Sequence, residues 1–176
     1  MSPIILDCSV TASWFIPDEF SKSSFNIRDK IRERGAIVPT IWSLEVGNVL
    51  LISERRKRIT KEQRQKALYI LKDLPIKTDE LTFKNAWFET IELAEKYNLT
   101  LYDACYLELV LRYNSILATF DNNLKQAAKL AGIPFVYTKK SMGWGNKAWK
   151  WRSYLSSKII TINSDMSRFF LNRLSK

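Results

Sequence analysis

The chain opens on a short apolar run, Ile4-Ile5-Leu6, and comparable runs recur at Ala36-Ile37-Val38, Ser115 to Thr119 and Pro134-Phe135-Val136. Short continuous apolar runs bounded by polar residues predict strands buried on both faces. Between them, apolar positions recur at helical spacing over about 20–34, 41–57, 61–73, 82–97, 102–113 and 122–131. Thr60 ahead of Lys61-Glu62-Gln63 has the form of a capping box, and Gly35 and Gly132 stand where helix C-terminal caps belong. Strands alternating with helices imply an α/β domain, a mainly parallel central sheet with helices on both faces. In such sheets ligands bind beyond the carboxyl ends of the strands. Chemistry is to be sought there.

Four acids fall in telling places. Asp7 directly follows the first run; Asp121 follows the run at 116–119 and opens the helix at 122–131. Taken singly, Asp7 reads as a loop acid and Asp121 as a helix N-cap. Two strands ending in Asp at one edge make coincidence less convincing. Glu45 is more informative. With a helix capped by Thr40 and turning about 100° per residue from Ile41, Ser43 and Glu54 mark the exposed side. Glu45 and Asn48 then fall on the apolar side, with Ile41, Leu44 and Ile52. A carboxylate there is costly unless paired or metal-bound, and a buried salt bridge is the structural alternative. Asp103 lies in the first turn of a helix whose expected core face is Tyr106, Leu107, Val110 and Leu111, where the helix dipole alone would suit it. Crowded carboxylates repel, and a bound divalent cation relieves them.

Composition narrows the chemistry. The 176 residues, 46% apolar, suffice for one domain with a real core. There is no histidine, which removes His-based triads, imidazole acids and bases, and zinc sites that need a His ligand. The two cysteines, Cys8 and Cys105, are too few for a disulfide scaffold and read as small buried filler beside Asp7 and Asp103. An oxygen-only donor set favours Mg²⁺, with Mn²⁺ as a substitute, over zinc. No basic start leads into a long apolar core, and no 18 apolar residues run together. The expectation is a cytoplasmic protein without a membrane span.

The net charge of +10 is unevenly placed. Residues 137–176 hold nine Lys or Arg and one acid, +8, whereas 1–136 hold nineteen basic and seventeen acidic residues, +2. This divides the chain into a domain over 1–136 and a basic, Trp-containing extension over 137–176. In the extension, Trp144, Trp149 and Trp151 interleave with Lys147, Lys150 and Arg152, a combination able to stack on bases and neutralise phosphates. A stripe of Met166, Phe169, Phe170 and Leu174 reads instead as a docking face. Gly143-Trp144-Gly145-Asn146-Lys147-Ala148 fits a dinucleotide-binding pattern but lacks the preceding strand that the pattern needs.

The acids sit in longer matching stretches: Ile5-Leu6-Asp7-Cys8-Ser9-Val10, Trp14-Phe15, and Glu45-Val46-Gly47-Asn48-Val49-Leu50. Leu99-Thr100-Leu101-Tyr102-Asp103-Ala104-Cys105-Tyr106 and Leu117-Ala118-Thr119-Phe120-Asp121-Asn122-Asn123-Leu124 complete the set. In these, over residues 1–136, the chain resembles the PIN-domain ribonucleases, specifically the VapC-type toxins of type II toxin–antitoxin pairs. The resemblance implies a three-layer α/β/α fold and Mg²⁺-dependent cleavage of RNA. It makes Asp7, Glu45, Asp103 and Asp121 the catalytic and metal-binding acids. Ser9 and Thr119 match the hydroxyl positions beside the first and last of them, and Asn48 the polar helix partner. A homodimer and a neutralising antitoxin are implied as partners. Two features depart from the pattern: the cysteines beside Asp7 and Asp103, where small residues such as Ala are common, and the extension beyond Val136.

Two other readings stand beside the nuclease. One is a catalytically silent module that keeps the fold and binds RNA or a partner. The other is a phosphatase using Asp7 as nucleophile, but such enzymes carry a second Asp two residues on, where this chain has Ser9.

Overall fold

The computed structural model describes residues 2–136. Five parallel strands form one sheet: β1 (Ile4–Leu6), β2 (Ala36–Val38), β3 (Ile76–Thr78), β4 (Ile116–Ala118) and β5 (Phe135–Val136), in the order β3-β2-β1-β4-β5. Ile4, Ile5 and Leu6 are wholly enclosed at its centre, as an unbroken apolar run in a two-sided sheet must be. Register runs Ile5 against Ile37 on one side and Leu117 on the other.

Among the described residues eight α-helices flank the sheet, α1 (Cys8–Ala12), α2 (Lys22–Arg34), α3 (Trp42–Arg55), α4 (Lys61–Lys72), α5 (Thr82–Asn85), α6 (Glu89–Tyr97), α7 (Leu101–Tyr113) and α8 (Asn122–Leu130), with a 3₁₀ turn at Pro17–Glu19. Strand order moves outward from β1 through β2 to β3, then returns across to β4 and β5. Right-handed crossovers therefore put α2 to α4 on one face and α5 to α8 on the other. Such an α/β/α arrangement has its switch point between β1 and β4, where strand order reverses. The chain leaves both strands at their carboxyl ends there. Among the described residues no helix is long and apolar enough to cross a membrane.

The four expected strands are present, with an additional one, β3. Its sequence, Ile76-Lys77-Thr78 after Pro75, is half-buried only at Ile76, so it lacks the apolar run that marks an interior strand. A lysine on such an edge also discourages pairing with other chains. Gly35 makes this edge possible. Its φ of +76° suits glycine, and a Cβ on it would stand 3.2 Å from the Pro75 carbonyl oxygen.

The helix expected over 82–97 is two helices, α5 and α6. Phe88 between them is non-helical, at φ −128° and ψ −79°, and Phe83, Trp87 and Phe88 are all exposed. A run of aromatics gains little from helical continuity, while Glu89 and Glu92 favour a fresh helix N-terminus. The capping box at Thr60 is present, with Gln63 returning its side chain to the Thr60 N–H at 2.7 Å.

The rotation expected for α3 requires correction. Its buried face is Trp42, Val46, Leu50 and Ser53, whereas Leu44 is 77% exposed and Asn48 is exposed. The buried stripe lies roughly 100° further round than the sequence pattern indicated. Thr40 does not cap the helix. Residues 39–42 form a turn in which Trp42 N–H donates to Pro39 O at 3.0 Å, and Ile41 occupies the cap position. Glu45 therefore sits on the half-buried flank of α3, not on its core face.

Candidate active site

Asp7 and Thr119 to Asp121 leave β1 and β4 side by side at the switch point, with Asp7 N–H donating to Ala118 O at 3.0 Å. Asp7 holds the N-cap position of α1 yet makes no side-chain capping bond. Its Oδ2 instead accepts from Ser9 Oγ at 2.5 Å and Thr119 Oγ1 at 2.6 Å. Each hydroxyl is itself oriented from behind: Phe120 N–H donates to Ser9 Oγ at 2.9 Å, and Asp121 N–H to Thr119 Oγ1 at 3.0 Å. A hydroxyl that accepts from an amide and faces a carboxylate must send its own proton to the carboxylate. Ser9 and Thr119 thus form two parallel relays that fix Asp7, and neither is poised as a nucleophile.

Asp121 acts as the N-cap of α8, its Oδ1 accepting from Leu124 N–H at 2.7 Å. Asp103 stands in the first turn of α7, where the Thr100 hydroxyl donates to its Oδ2 at 2.7 Å and accepts its N–H at 3.1 Å. Glu45 reaches from α3 to α7, where the buried Tyr106 hydroxyl donates to its Oε2. Sequence reasoning placed Tyr106 in the core and missed this bond. The signal was there, because a buried tyrosine hydroxyl needs a partner.

Three of these acids are held above the usual carboxylate range. Burial raises Asp7 most, outweighing the Ser9 and Thr119 bonds, and the charge of Asp103 adds to it. Burial likewise raises Glu45 against its Tyr106 bond, reinforced by the charges of Asp7 and Asp103. Asp103 is raised by burial and by Asp121, against the Thr100 bond. The charges acting on these groups are thus other carboxylates, and none of the ion pairs among the described residues uses any of the four acids.

A second buried acidic pair is handled differently. Asp79 and Glu108 share Arg112, whose guanidinium donates to Asp79 at 2.8 and 2.9 Å and to Glu108 at 2.6 and 3.0 Å. That network is bridged by a guanidinium, which leaves one net negative charge on it instead of two. Among the described residues the Asp7 group has no such bridge.

Both thiols are buried. Burial first, then the surrounding carboxylates, pushes Cys105 up to about 11 and Cys8 higher still. At neutral pH they are protonated filler, not nucleophiles or ligands.

The chain matches the PIN domain family model over residues 4–130. It belongs to the PIN domain family. Members are generally metal-dependent nucleases, and this chain carries that nuclease-type fold. Among solved structures it is similar to the crystal structure of PAE2754 from Pyrobaculum aerophilum, with 21% identity and a TM-score of 0.53 over 76% of this chain and 90% of that one. At that identity the likeness bears on the fold. No curated protein matches the chain.

The family implies a divalent cation, and the donor chemistry here fits one: oxygen ligands only, uncompensated negative charge and raised pKa values. Among the described residues, however, no group of three or more acid or thiol side chains is gathered closely enough to hold an ion. The four acids are coupled through space in pairs, and each carboxylate is engaged by a hydroxyl or amide donor of its own. Asn48 is exposed on α3, three residues beyond Glu45. Lys147, Trp149, Lys150, Trp151 and Arg152 lie outside the described residues.

Tyr106→Phe isolates the Glu45 contact. If Glu45 acts in cleavage, removing this hydroxyl should lower kcat roughly tenfold, and the loss of a charged hydrogen bond, about 1.5 kcal/mol, should lower the melting temperature by a few degrees. Equal kcat in the variant would mean that Glu45 needs no such support.

Proposed function

We propose that this PIN domain is an Mg²⁺-dependent endoribonuclease, the toxin of a toxin–antitoxin pair acting in the cytoplasm. The observation that supports the nuclease reading is the carboxylate group around the switch point, which no salt bridge among the described residues engages, whereas the second acidic pair, Asp79 and Glu108, is bridged by Arg112. Asp7, Glu45, Asp103 and Asp121 would hold the cation, with Mn²⁺ a possible substitute. What a divalent cation supplies there is Lewis acidity toward a phosphate and a more acidic water. The chain's own residues orient the ligands: Ser9 and Thr119 fix Asp7, Tyr106 fixes Glu45 and Thr100 fixes Asp103. Hydrolysis on this reading leaves 5′-phosphate and 3′-hydroxyl ends. A cognate antitoxin and a second copy of the chain are the proposed protein partners, and the basic extension is proposed to add phosphate contacts.

The looser spacing of the acids favours a second reading, a catalytically silent PIN module that binds RNA or a partner. Expression in a bacterial host separates the two. The nuclease reading expects growth arrest by the wild type and none by Asp7→Asn at equal protein level. Normal growth with both, or equal arrest by both, would count for the silent module.

Metal linkage gives a further check. A carboxyl whose folded pKa is raised costs stability as pH climbs above its unfolded value, and the full cost is present above the folded one. Asp7, Glu45 and Asp103 all shift this way. A cation that binds the ionised folded state reverses the penalty. Millimolar Mg²⁺ should therefore raise the melting temperature by several degrees at pH 8, and by much less at pH 5. Identical melting in EDTA and Mg²⁺ at pH 8 would exclude a shared site.

A further inference from the structure

Lys125 lies in the first turn of α8, four residues beyond the Asp121 cap, with its N–H donating to Asp121 O at 3.1 Å. A cation at this end of a helix opposes the macrodipole, and the Asp121 carboxylate four residues earlier, which could offset it, instead caps Leu124 N–H and forms no ion pair with Lys125. Pairing within the helix therefore does not fix where this ammonium sits. Nor does its side chain simply extend into water. Half-buried, it folds back so that Nζ donates to Phe120 O at 2.8 Å, lies 3.5 Å from Asn122 Oδ1, and stands 5.7 Å from the centre of the Phe120 ring. Phe120 is the residue whose N–H orients Ser9 against Asp7. The ammonium is thus tied to the peptide that precedes Asp121, at the rim of the carboxylate group. No ion pair among the described residues engages it, and an ammonium has three protons to give, of which these two oxygens take two.

A phosphodiester approaching Asp7, Glu45, Asp103 and Asp121 meets like charge, and a cation held at the Phe120 carbonyl, on the peptide that leads into Asp121, lowers that barrier from one side. We infer that Lys125 binds the phosphate backbone of the nucleic-acid substrate on the Asp121 side of the site, as a point charge on a non-bridging phosphate oxygen. The inference rests on the nuclease reading above and adds a substrate-binding residue to it.

The test uses the full-length chain and a single-stranded RNA oligonucleotide. In an Asp7→Asn background, which leaves the RNA uncut, adding Lys125→Gln should weaken binding about three- to tenfold at 50 mM salt. It should also flatten the plot of log affinity against log salt by about 0.7, the value of one phosphate contact on a single strand. Lys125→Arg should keep the slope. In the active protein, Lys125→Gln should raise KM more than it lowers kcat, and the melting temperature should hold or rise as the unfavourable dipole contact is lost. Unchanged slope and KM, in a protein that does cleave RNA, would overturn the inference. So would a melting temperature several degrees lower with the slope intact, which would make Lys125 a structural tie to Phe120. A wild type that cleaves nothing would sink the nuclease reading instead, while the slope in the Asp7→Asn background still decides whether Lys125 holds a phosphate.

Discussion

Asp7→Asn should reduce RNA cleavage by at least on the order of 10³-fold, about 4 kcal/mol of barrier, while leaving the fold as stable as the wild type or more so. The two halves of this result have one cause. Asp7 is buried without a cation, and its pKa is raised chiefly by that burial. Once ionised, its charge is a cost to the folded chain, which a bound cation would relieve. The neutral amide has nearly the same shape and can still accept from Ser9 and Thr119, so the relays from the Phe120 and Asp121 amides persist. What disappears is the charge. The melting temperature in EDTA should therefore hold or rise, and the Mg²⁺-dependent increase should shrink. A variant that unfolds would instead make Asp7 structural; one that is folded and fully active would remove it from the chemistry.

Arg112→Met should do the reverse, destabilising the domain by about 3 to 5 kcal/mol, or roughly 10 °C in melting temperature for a chain of this size. Asp79 is buried and would raise its pKa on that ground, but bonds from Arg112, Thr82 and Tyr113 outweigh burial and hold it below the usual range. Its carboxylate accepts from Arg112, Thr82 and Tyr113 side chains and from Leu81 N–H. A depressed carboxyl contributes stability that is present above its unfolded pKa and lost as pH falls through the folded one. Without the guanidinium, Asp79 and Glu108 are left as buried charges, and the variant should lose that dependence and gain stability toward acid. Adding Asp79→Asn and Glu108→Gln should recover part of the loss. Thermal melts from pH 3 to pH 8 on both variants decide this. A single-site loss below 1 kcal/mol would show that water reaches both carboxylates.

The contrast between these two acidic groups also shows what the sequence could and could not convey. Continuous apolar runs located β1, β2 and β4, because interior strands carry their signal in three or four consecutive residues, and they located β5 too, an edge strand that still carries the apolar pair Phe135-Val136. β3 escaped because an edge strand with one half-buried residue has no such signal. Glu108, within Tyr106-Leu107-Glu108-Leu109-Val110, is as much an acid among apolar residues on a helix as Glu45 is. It forms a salt bridge to Arg112, one turn on. Sequence spacing finds such acids, but only three-dimensional pairing tells one bridged by a cation from one that is not. Glu45 was singled out for a wrong reason in part, since the turn at 39–42 rotates α3 and leaves Leu44 and Asn48 outward. It is half-buried because Tyr106 reaches it from α7. Asp121 likewise does what a lone acid ahead of a helix is expected to do, and caps it. Its place beside Asp7 follows from the strand order, which no local pattern encodes. Lys125 carried no signal, because its reach back to Phe120 depends on a rotamer.

The most direct test of the account is in vitro cleavage by the purified full-length chain, with the product ends mapped. RNA incubated with the protein in Mg²⁺ should be cut to fragments bearing 5′-phosphate and 3′-hydroxyl ends. Cutting should stop in EDTA, return with Mn²⁺, and be absent throughout for Asp7→Asn prepared in parallel. Intact RNA in both metals, or cleavage that persists in EDTA or in Asp7→Asn, would contradict it.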